Sequence, residues 1–309
     1  MNDKFSVLLA APRGFCAGVE RAIATVRLCL ERYGRPVYVL HEIVHNKHVL
    51  AALEHDGAVF VEDLEQIPRG GVCIFSAHGV SRQVEEKAAS LGLRRVDATC
   101  PLVTSVHGMV EKHHAMGHEV IIVGHHGHPE VVGTAGRVDG RVHVVATSEE
   151  AERLAIAPGA KVAYVTQTTL NGNDIVELIA VLKRRFPSIE GPRDNICFAT
   201  QHRQEAVRLL AMESELIFVV GSKNSSNSNR LKEVAGQCGV VAHLIDDAGD
   251  IDPQWLVGIR RIGITAGASA PERLVDGVLR WLTRHGELEV RTMRGIEEKV
   301  HFKPAKLAH

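Results

Sequence analysis

Short apolar runs, each about the length of one strand, alternate with amphipathic segments along the chain. Between the runs, apolar residues recur at the three- and four-residue spacing of a helix, as they do between Cys16 and Gly34. Strands that alternate with helices form parallel sheets, so the pattern predicts an α/β fold. The twelve predicted strands are FSVLLAA, VYVLH, AVFV, VCIFSA, RRVDAT, VIIVG, VHVVA, VAYVTQ, NICFAT, LIFVVG, VVAHLI and RIGITAG.

The twelve runs divide into three sets of four, aligned on a cysteine at the end of each first run. The three cysteines are Cys16, Cys100 and Cys197. A polar residue follows the second run of each set, 28 or 29 residues after its cysteine, and another follows the fourth run, 62 to 72 residues after it. Agreement of both spacings indicates three related units. The polar residues are His45, His128 and Ser225 after the second runs, and His78, Thr168 and Ser269 after the fourth.

The three units predict one shared site. In parallel α/β sheets, ligands bind beyond the carboxyl ends of the strands. We therefore expect three similar parallel-sheet α/β domains in a pseudo-threefold arrangement, with the cysteines and polar loops facing a central cavity. The predicted boundaries are residues 1–99, 100–194 and 195–285 for the three units, followed by a C-terminal tail at 286–309.

Composition narrows the range of partners. The chain has 309 residues and a net charge of −1, with 36 Lys and Arg residues against 37 Asp and Glu residues. This balance gives no general attraction to nucleic acid or to an anionic membrane. The apolar runs are shorter than a membrane span, and the segment MNDKFSVLLAAPRGF lacks the apolar region of a signal peptide. We expect a cytoplasmic protein with neither a nucleic-acid nor a membrane partner.

This compartment changes the interpretation of the six cysteines. In a reducing cytoplasm they are core residues or metal ligands rather than disulfides. Cys29, Cys73 and Cys238 lie in apolar or helical runs and are interpreted as small buried side chains. The other three precede predicted helices, whose N-termini favour a thiolate. No C-x-x-C spacing occurs, so the residues alone leave two alternatives: a zinc ion with an open position, and a 4Fe–4S cluster with three cysteine ligands.

The polar loops indicate what such a metal would act on. Three of them are HEIVHN, FSAHGVS and GHHGHPEV, and a fourth is SKNSSNSN. Imidazoles, hydroxyls, amides and helix N-termini together can bind a phosphate or diphosphate without a large fixed positive charge. Glu130 lies two residues after His128 and is a candidate proton donor. The histidines of EKHHAMGH, by contrast, are interpreted as a solvated helix end.

Several long segments resemble the 4-hydroxy-3-methylbut-2-enyl diphosphate reductase family, of LytB type. The similarity extends from Leu8 to Glu272 and includes the tail segment VHFKPAK. The resemblance implies a three-domain α/β fold around a central cluster. It also implies the last reaction of the methylerythritol phosphate route, in which the substrate hydroxyl is removed reductively to give isopentenyl and dimethylallyl diphosphates. The segments are PRGFCAGVERAI, HEIVHN, FSAHGVS, DATCPLV, GHPEVVGT, TQTTL, ICFATQHRQEAV, VVGSKNSSNSNRL and TAGASAPE.

The resemblance further implies roles for individual residues. Cys16, Cys100 and Cys197 correspond to the three ligands of one 4Fe–4S cluster with an open fourth iron, and Glu130 to the head of proton delivery. His126 stands where the family has a small residue, so it has no implied role. Electrons are expected from an external donor such as flavodoxin or ferredoxin, because no flavin or second-cluster motif is visible. The implied substrate-binding residues are His45, His78, His128, Thr168, Ser225, Ser226, Asn227 and Ser269, with Thr168 near the hydroxyl.

Two other functions use the same residue types. A hydro-lyase would employ an open-iron cluster as a Lewis acid without net electron transfer. An iron–sulfur sensor would bind an isoprenoid diphosphate and form no product. The acid in the pocket argues against the sensor, and redox titration coupled to turnover separates the hydro-lyase from a reductase.

Overall fold

Every strand pairing in the described part of the chain is parallel. The computed structural model describes residues 3–192 and 195–307, in which no helix is long and apolar enough to cross a membrane. The strands are β1 (Asp3–Leu9), β2 (Val37–Leu40), β3 (Ala58–Val61), β4 (Val72–Phe75), β5 (Arg94–Asp97), β6 (Glu119–Val123), β7 (Val142–Val145), β8 (Val162–Thr166), β9 (Leu216–Val220), β10 (Val241–Ile245), β11 (Arg261–Ala266) and β12 (Gly286–Thr292). The α-helices are α1 (Ala17–Tyr33), α2 (Lys47–Asp56), α3 (Arg82–Ser90), α4 (Pro101–Ala115), α5 (Pro129–Ala135), α6 (Ser148–Arg153), α7 (Gly172–Arg185), α8 (Phe198–Glu213), α9 (Ser226–Gln237) and α10 (Glu272–Leu282).

The chain divides into two compact units. Neither unit is one continuous piece of sequence, because segments near the N-terminus belong with residues far along the chain. The first unit comprises the described parts of Met1–Val19, His45–Ala51 and Phe198–His301, and the second those of Glu20–Val44, Ala52–Cys197 and Phe302–His309.

The first unit contains a five-stranded sheet in the order β10-β9-β11-β1-β12. Successive residues of a strand face opposite sides of the sheet. In β1, Phe5 belongs to one apolar cluster with Val278 of α10, whereas Leu8 belongs to a second cluster with Leu210 of α8. Helices therefore cover both faces, which explains why these strands are continuous apolar runs rather than alternating ones.

The second unit contains two sheets, in the orders β3-β2-β4-β5 and β7-β6-β8. The central strand β6 is also covered on both sides. Ile121 packs in a cluster with Leu182 of α7, and Val120 packs in a separate cluster with Val110 of α4. Because all these strands are parallel, the loops after β6 and β8 emerge at the same edge of their sheet.

The predicted α/β fold with parallel sheets is confirmed. Eleven of the twelve predicted runs coincide with strands β1 to β11. The run NICFAT is not a strand, since α8 begins at Phe198; a short apolar run does not by itself distinguish a strand from the start of a helix. Strand β12 was not predicted, because it is a charged edge strand within the segment assigned to the tail.

The sheets group the strands differently from the three sets in the sequence. Strand β1 lies between β11 and β12, and β5 pairs with β4. Strand β5 therefore belongs with strands of the first set, and β1 with strands of the third set, rather than with the strands that follow them in the sequence. The predicted boundaries of the three domains and the tail stay a prediction.

A buried arginine in the first unit fixes the segment before Cys16. Arg203 of α8 is 1% exposed. Its guanidinium donates to the carbonyls of Gly14 and Phe15, both at 3.0 Å, and to the two carboxylate oxygens of Glu298 at 3.0 to 3.2 Å. The carboxylate and carbonyls compensate the desolvation of the buried charge. Helix α8 thereby holds the chain immediately ahead of Cys16.

We expect Arg203→Met to lower the free energy of unfolding by about 3–5 kcal/mol, because it leaves the carbonyls of Gly14 and Phe15 without this donor and the Glu298 carboxylate with His202 alone. The matched control is Arg208→Met on the same helix, where the arginine makes only a surface pair with Glu205. That change should cost less than about 1 kcal/mol. Guanidinium unfolding of the full-length protein, followed by circular dichroism, measures both; equal losses would contradict the structural role of Arg203.

Candidate functional site

The three cysteines predicted to bind a metal each stand immediately before the first residue of a helix. Cys16 precedes α1, Cys100 is the N-cap of α4, and Cys197 precedes α8. All three side chains are thiols of intermediate exposure. Iron–sulfur clusters and zinc ions take thiolate sulfur from cysteine as a ligand. The donor set therefore suits a metal centre that prefers thiolates.

A main-chain hydrogen bond fixes each of these cysteines to the loop after a neighbouring strand. For one cysteine, the acceptor is the carbonyl of Thr168, a polar residue that the sequence pattern selected. For the other two cysteines, the acceptor is the carbonyl of the residue just before a polar residue that the sequence pattern selected. Ala77 precedes His78, and Ala268 precedes Ser269. The bonds run from the Cys16 N–H to the Ala268 carbonyl at 3.1 Å, from the Cys100 N–H to the Ala77 carbonyl at 3.0 Å, and from the Cys197 N–H to the Thr168 carbonyl at 3.0 Å.

The other cysteines have different surroundings. Cys29 and Cys73 are fully buried, and burial raises the pKa of their thiols to about 11 and about 12. They stay protonated at neutral pH and fill the core, as predicted. Cys238 was also predicted to be buried, and this was wrong: it is the exposed C-cap of α9, at the end of the apolar side of the helix.

Glu130 is a buried carboxyl in the first turn of α5, 3% exposed. One carboxylate oxygen accepts the Thr168 main-chain N–H at 2.6 Å, and the other accepts the Thr168 hydroxyl at 2.9 Å. Burial raises the pKa of Glu130 to about 7, and the two hydrogen bonds from Thr168 oppose that shift. The group can therefore hold or release a proton near neutral pH.

His128 lies at the start of the helix that carries Glu130, and its ring contacts the ring of His78. His128 is the N-cap of α5, and its Nδ1 accepts the main-chain N–H of Glu130 at 3.1 Å. The neutral ring therefore carries its proton on Nε2. The rings of His128 and His78 are 5.9 Å apart and nearly perpendicular, and His78 Nδ1 lies 3.2 Å from Ser76 Oγ. The two imidazoles thus lie side by side, and one of them caps the helix of Glu130.

Two glycines allow the loop of His78 to pack tightly against its neighbours. Gly79 has a φ of +77°, and a Cβ there would lie 2.6 Å from the His107 ring. A Cβ at Gly133 of α5 would lie 3.0 Å from the Gly79 carbonyl oxygen. A larger residue at Gly79 would clash with the His107 ring of α4, and a larger residue at Gly133 would press α5, which carries Glu130, against the loop of Gly79.

The first unit contributes the start of α9. Ser225 is its N-cap, with an Oγ that accepts the Ser228 N–H at 3.3 Å and the Ser228 hydroxyl at 3.0 Å. Ser226 and Asn227 follow in the first turn. Asn227 is 5% exposed, and neither atom of its amide has a hydrogen-bond partner among the described residues. Since buried amides are normally paired, this one is available to a ligand at a helix N-terminus.

The loop after β11 meets the segment of His45 in the same unit. The Ser269 hydroxyl donates to the His45 carbonyl at 2.9 Å. The next residue, Asn46, is 1% exposed and caps α2: its side-chain oxygen accepts the N–H groups of His48 at 3.1 Å and Val49 at 3.2 Å. Asn46 was not predicted as a site residue, although an asparagine directly before a helix is a recognisable cap signal.

The predicted site residues therefore form two groups of contacts, one in each unit. In the second unit, hydrogen bonds and ring contacts link neighbouring members of the set. Their roles stay predictions. His126 has no place in the group, because its Nε2 lies on the surface 2.8 Å from a carboxylate oxygen of Glu150. The second-unit group is Cys100, Cys197, His78, His128, Glu130 and Thr168; the first-unit group is Cys16, His45, Ser225, Ser226, Asn227 and Ser269.

Comparison with known proteins gives the family. The sequence model described as LytB protein matches residues 7–283. A 4-hydroxy-3-methylbut-2-enyl diphosphate reductase of Desulfotalea psychrophila is 63% identical over 306 residues, which cover 99% of this chain and 98% of that protein. The solved E-1-hydroxy-2-methyl-but-2-enyl-4-diphosphate reductase of Plasmodium falciparum is 37% identical, with a TM-score of 0.92 over 98% of this chain and 96% of that one.

A second solved structure, described as (E)-4-hydroxy-3-methyl-but-2-enyl diphosphate reductase, the terminal enzyme of the non-mevalonate pathway, is 32% identical. Its TM-score is 0.65, with coverage of 91% of this chain and 99% of that one. The match of the family sequence model spans most of the chain, and the alignment with the Desulfotalea psychrophila protein covers nearly all of both proteins. The chain therefore belongs to the LytB protein family.

Proposed function

We propose that the chain catalyses the reductive dehydroxylation of 4-hydroxy-3-methylbut-2-enyl diphosphate to isopentenyl and dimethylallyl diphosphates. The observation that supports this most directly is the Glu130 carboxyl, buried against Thr168 and able to carry a proton near neutral pH. The reaction consumes two electrons and two protons and releases water, so it needs such a donor. The family assignment gives the substrate class.

Three cysteines at helix N-termini, with no C-x-x-C pair in the sequence, fit one 4Fe–4S cluster better than a closed zinc site. Cys16, Cys100 and Cys197 would hold it. When bound, a cluster with three protein ligands keeps one iron open and supplies Lewis acidity and electrons for loss of the hydroxyl. The electrons would come from an external donor such as flavodoxin or ferredoxin.

The diphosphate would be bound by neutral donors. The Asn227 amide and the N–H groups at the start of α9 suit an anion, and Ser225, Ser226 and Ser269 add hydroxyls. The imidazoles of His45, His78 and His128 supply further donors. These groups suit a diphosphate better than a carboxylate ligand, because they offer many separate hydrogen bonds and a diphosphate has more oxygens to accept them.

Glu130 and Thr168 would act at the other end of the substrate. The protonated Glu130 carboxyl would donate its proton to the leaving hydroxyl. The Thr168 hydroxyl would orient the Glu130 carboxyl and the substrate hydroxyl. The ring of His128, which accepts the Glu130 main-chain N–H, fixes the first turn of α5 and with it the position of the acid.

We expect single changes of Cys16, Cys100 or Cys197 to Ser to abolish stable cluster binding, because iron–sulfur clusters need thiolate ligands. Iron and acid-labile sulfide content and the visible spectrum of anaerobically purified protein are the measurements. Ala at Cys29, Cys73 or Cys238 serves as the control and should keep the cluster. Zinc in place of iron in the parent protein, or loss of the cluster only in the control variants, would contradict the assignment.

We expect Asn227→Ala to weaken binding of the diphosphate substrate by about 1–3 kcal/mol, because phosphate oxygens lose an amide partner in a buried site. Isothermal titration of the cluster-loaded protein measures this change. The alcohol lacking the diphosphate is the control ligand and should bind weakly and equally to both proteins. Unchanged diphosphate affinity would remove Asn227 from the site.

We expect Glu130→Gln to slow single-turnover reduction of bound substrate by about 10²–10⁴-fold, because glutamine keeps the shape but cannot give a proton. Chemically reduced enzyme is used so that the electron donor does not enter the comparison. The surface variant Glu149→Gln is the control and should react at the parent rate.

The pH dependence of the same single-turnover rate constant follows from the raised pKa. Glu130 is protonated below about pH 7, so the rate constant should fall as the pH rises through that value. Thr168→Val removes one of the hydrogen bonds that lower this pKa and should move the fall to higher pH. A parent-like rate in Glu130→Gln, or an unchanged pH profile in that variant, would exclude Glu130 as the donor.

A further inference from the structure

Two histidines and a glutamate form a cluster in the second unit that the proposed reaction does not use. His113 lies in the last turn of α4, His118 directly precedes β6, and Glu190 follows α7. One ligand atom from each lies within 4.8 Å of the others. The sequence interpretation of EKHHAMGH as a solvated helix end was wrong for these two histidines: His118 is 4% exposed, and the Nδ1 atom of His113 is buried.

Hydrogen bonding fixes the tautomer of His118. Its Nδ1 lies 3.1 Å from the His113 carbonyl oxygen, which can only accept, so Nδ1 carries the proton. In the neutral ring, the lone pair of Nε2 then faces the Glu190 carboxylate, with 3.3 Å between Nε2 and Oε1. Two acceptors at this distance repel each other unless a proton or a metal cation lies between them.

His113 presents a second ring nitrogen to the same carboxylate. Its Nδ1 is 3.8 Å from the other oxygen of Glu190 and has no hydrogen-bond partner among the described residues. The two imidazole rings are nearly perpendicular, with centroids 5.2 Å apart, so they approach the carboxylate from different directions. Nitrogen from both rings and oxygen from the carboxylate thus converge on one point.

The spacing suits a tetrahedral metal. Zinc binds histidine nitrogen and carboxylate oxygen at about 2.0–2.2 Å, so two ligand atoms of one ion are separated by about 3.3–3.6 Å. The pair of His118 Nε2 and Glu190 Oε1, at 3.3 Å, lies in this range, and one ligand atom from each of the three residues lies within 4.8 Å of the others. Glu190 is exposed on its outer side, which leaves room for a water as fourth ligand.

We propose that His113, His118 and Glu190 form a binding site for a zinc ion, separate from the cysteines and polar loops of the candidate active site. The site joins three pieces of the β7-β6-β8 domain at the amino ends of its strands. Glu190 is already held there by its main-chain bonds, from its N–H to Val162 at 2.9 Å and from the Tyr164 N–H to its carbonyl at 2.8 Å. The ion would fix the end of α4 opposite Cys100 and so stabilise this domain.

Equilibrium dialysis of the cluster-loaded, full-length protein against zinc chloride tests the site, with zinc and iron counted by elemental analysis. We expect one zinc per chain in addition to the cluster iron. Glu190→Gln and His118→Gln should each weaken zinc binding by at least about 10-fold, since each removes a ligand. His114→Gln is the matched control: this neighbouring histidine bonds the Asp139 carbonyl instead and should not affect zinc.

X-ray absorption at the zinc edge separates this site from the cysteines. Nitrogen and oxygen neighbours without sulfur are the expected result. Sulfur neighbours, equal zinc uptake by Glu190→Gln and the parent, or no uptake by the parent would overturn the proposal. Because Glu190 is a surface side chain, its variant keeps the test valid even where His118→Gln fails to fold.

Discussion

The candidate site depends on three main-chain hydrogen bonds, each of which ties a cysteine to the loop after a neighbouring parallel strand. The carbonyls of those loops accept the main-chain N–H groups of Cys16, Cys100 and Cys197, and buried main-chain N–H groups need such acceptors. Each bond sets where a helix begins, and so where a thiol and a polar loop residue lie relative to each other. Substitutions of the cysteine side chains leave these bonds in place, which separates the metal chemistry from the scaffold that presents it.

The spacing pattern could be predicted from the sequence because the architecture enforces it. Strand, helix and loop lengths in parallel units vary little, so Cys16, Cys100 and Cys197 recur at similar distances from polar strand ends. The grouping of strands could not be predicted, because β1 pairs with strands more than two hundred residues later in the chain. The spacing is the same whether β1 and β5 pair within their own sets or with strands of another set, so sequence spacing cannot distinguish the two arrangements.

Contacts between distant segments account for the other differences. Nothing near Arg203 in the sequence indicates that Glu298 and the Gly14 carbonyl compensate its charge. EKHHAMGH has the composition of a surface helix end, and only the position of Glu190 beside β8 gives two of its histidines a common partner. Caps such as Ser225 and Asn46 differ, because their partners lie within three residues and their signals are local.

The neutral character of the predicted diphosphate donors has a reason in the chemistry of Glu130. Its pKa is set by burial, which raises it, and by the two hydrogen bonds from Thr168, which lower it. A lysine or arginine within about 4–6 Å would favour the carboxylate and lower the pKa by about 1–3 units, which would leave no proton to give at neutral pH. Amides, hydroxyls and helix N-termini carry no full charge, so they bind an anion while lowering the pKa of the acid less than a basic side chain would. A diphosphate site that must also keep a carboxylic acid protonated would therefore favour amides and hydroxyls over basic residues.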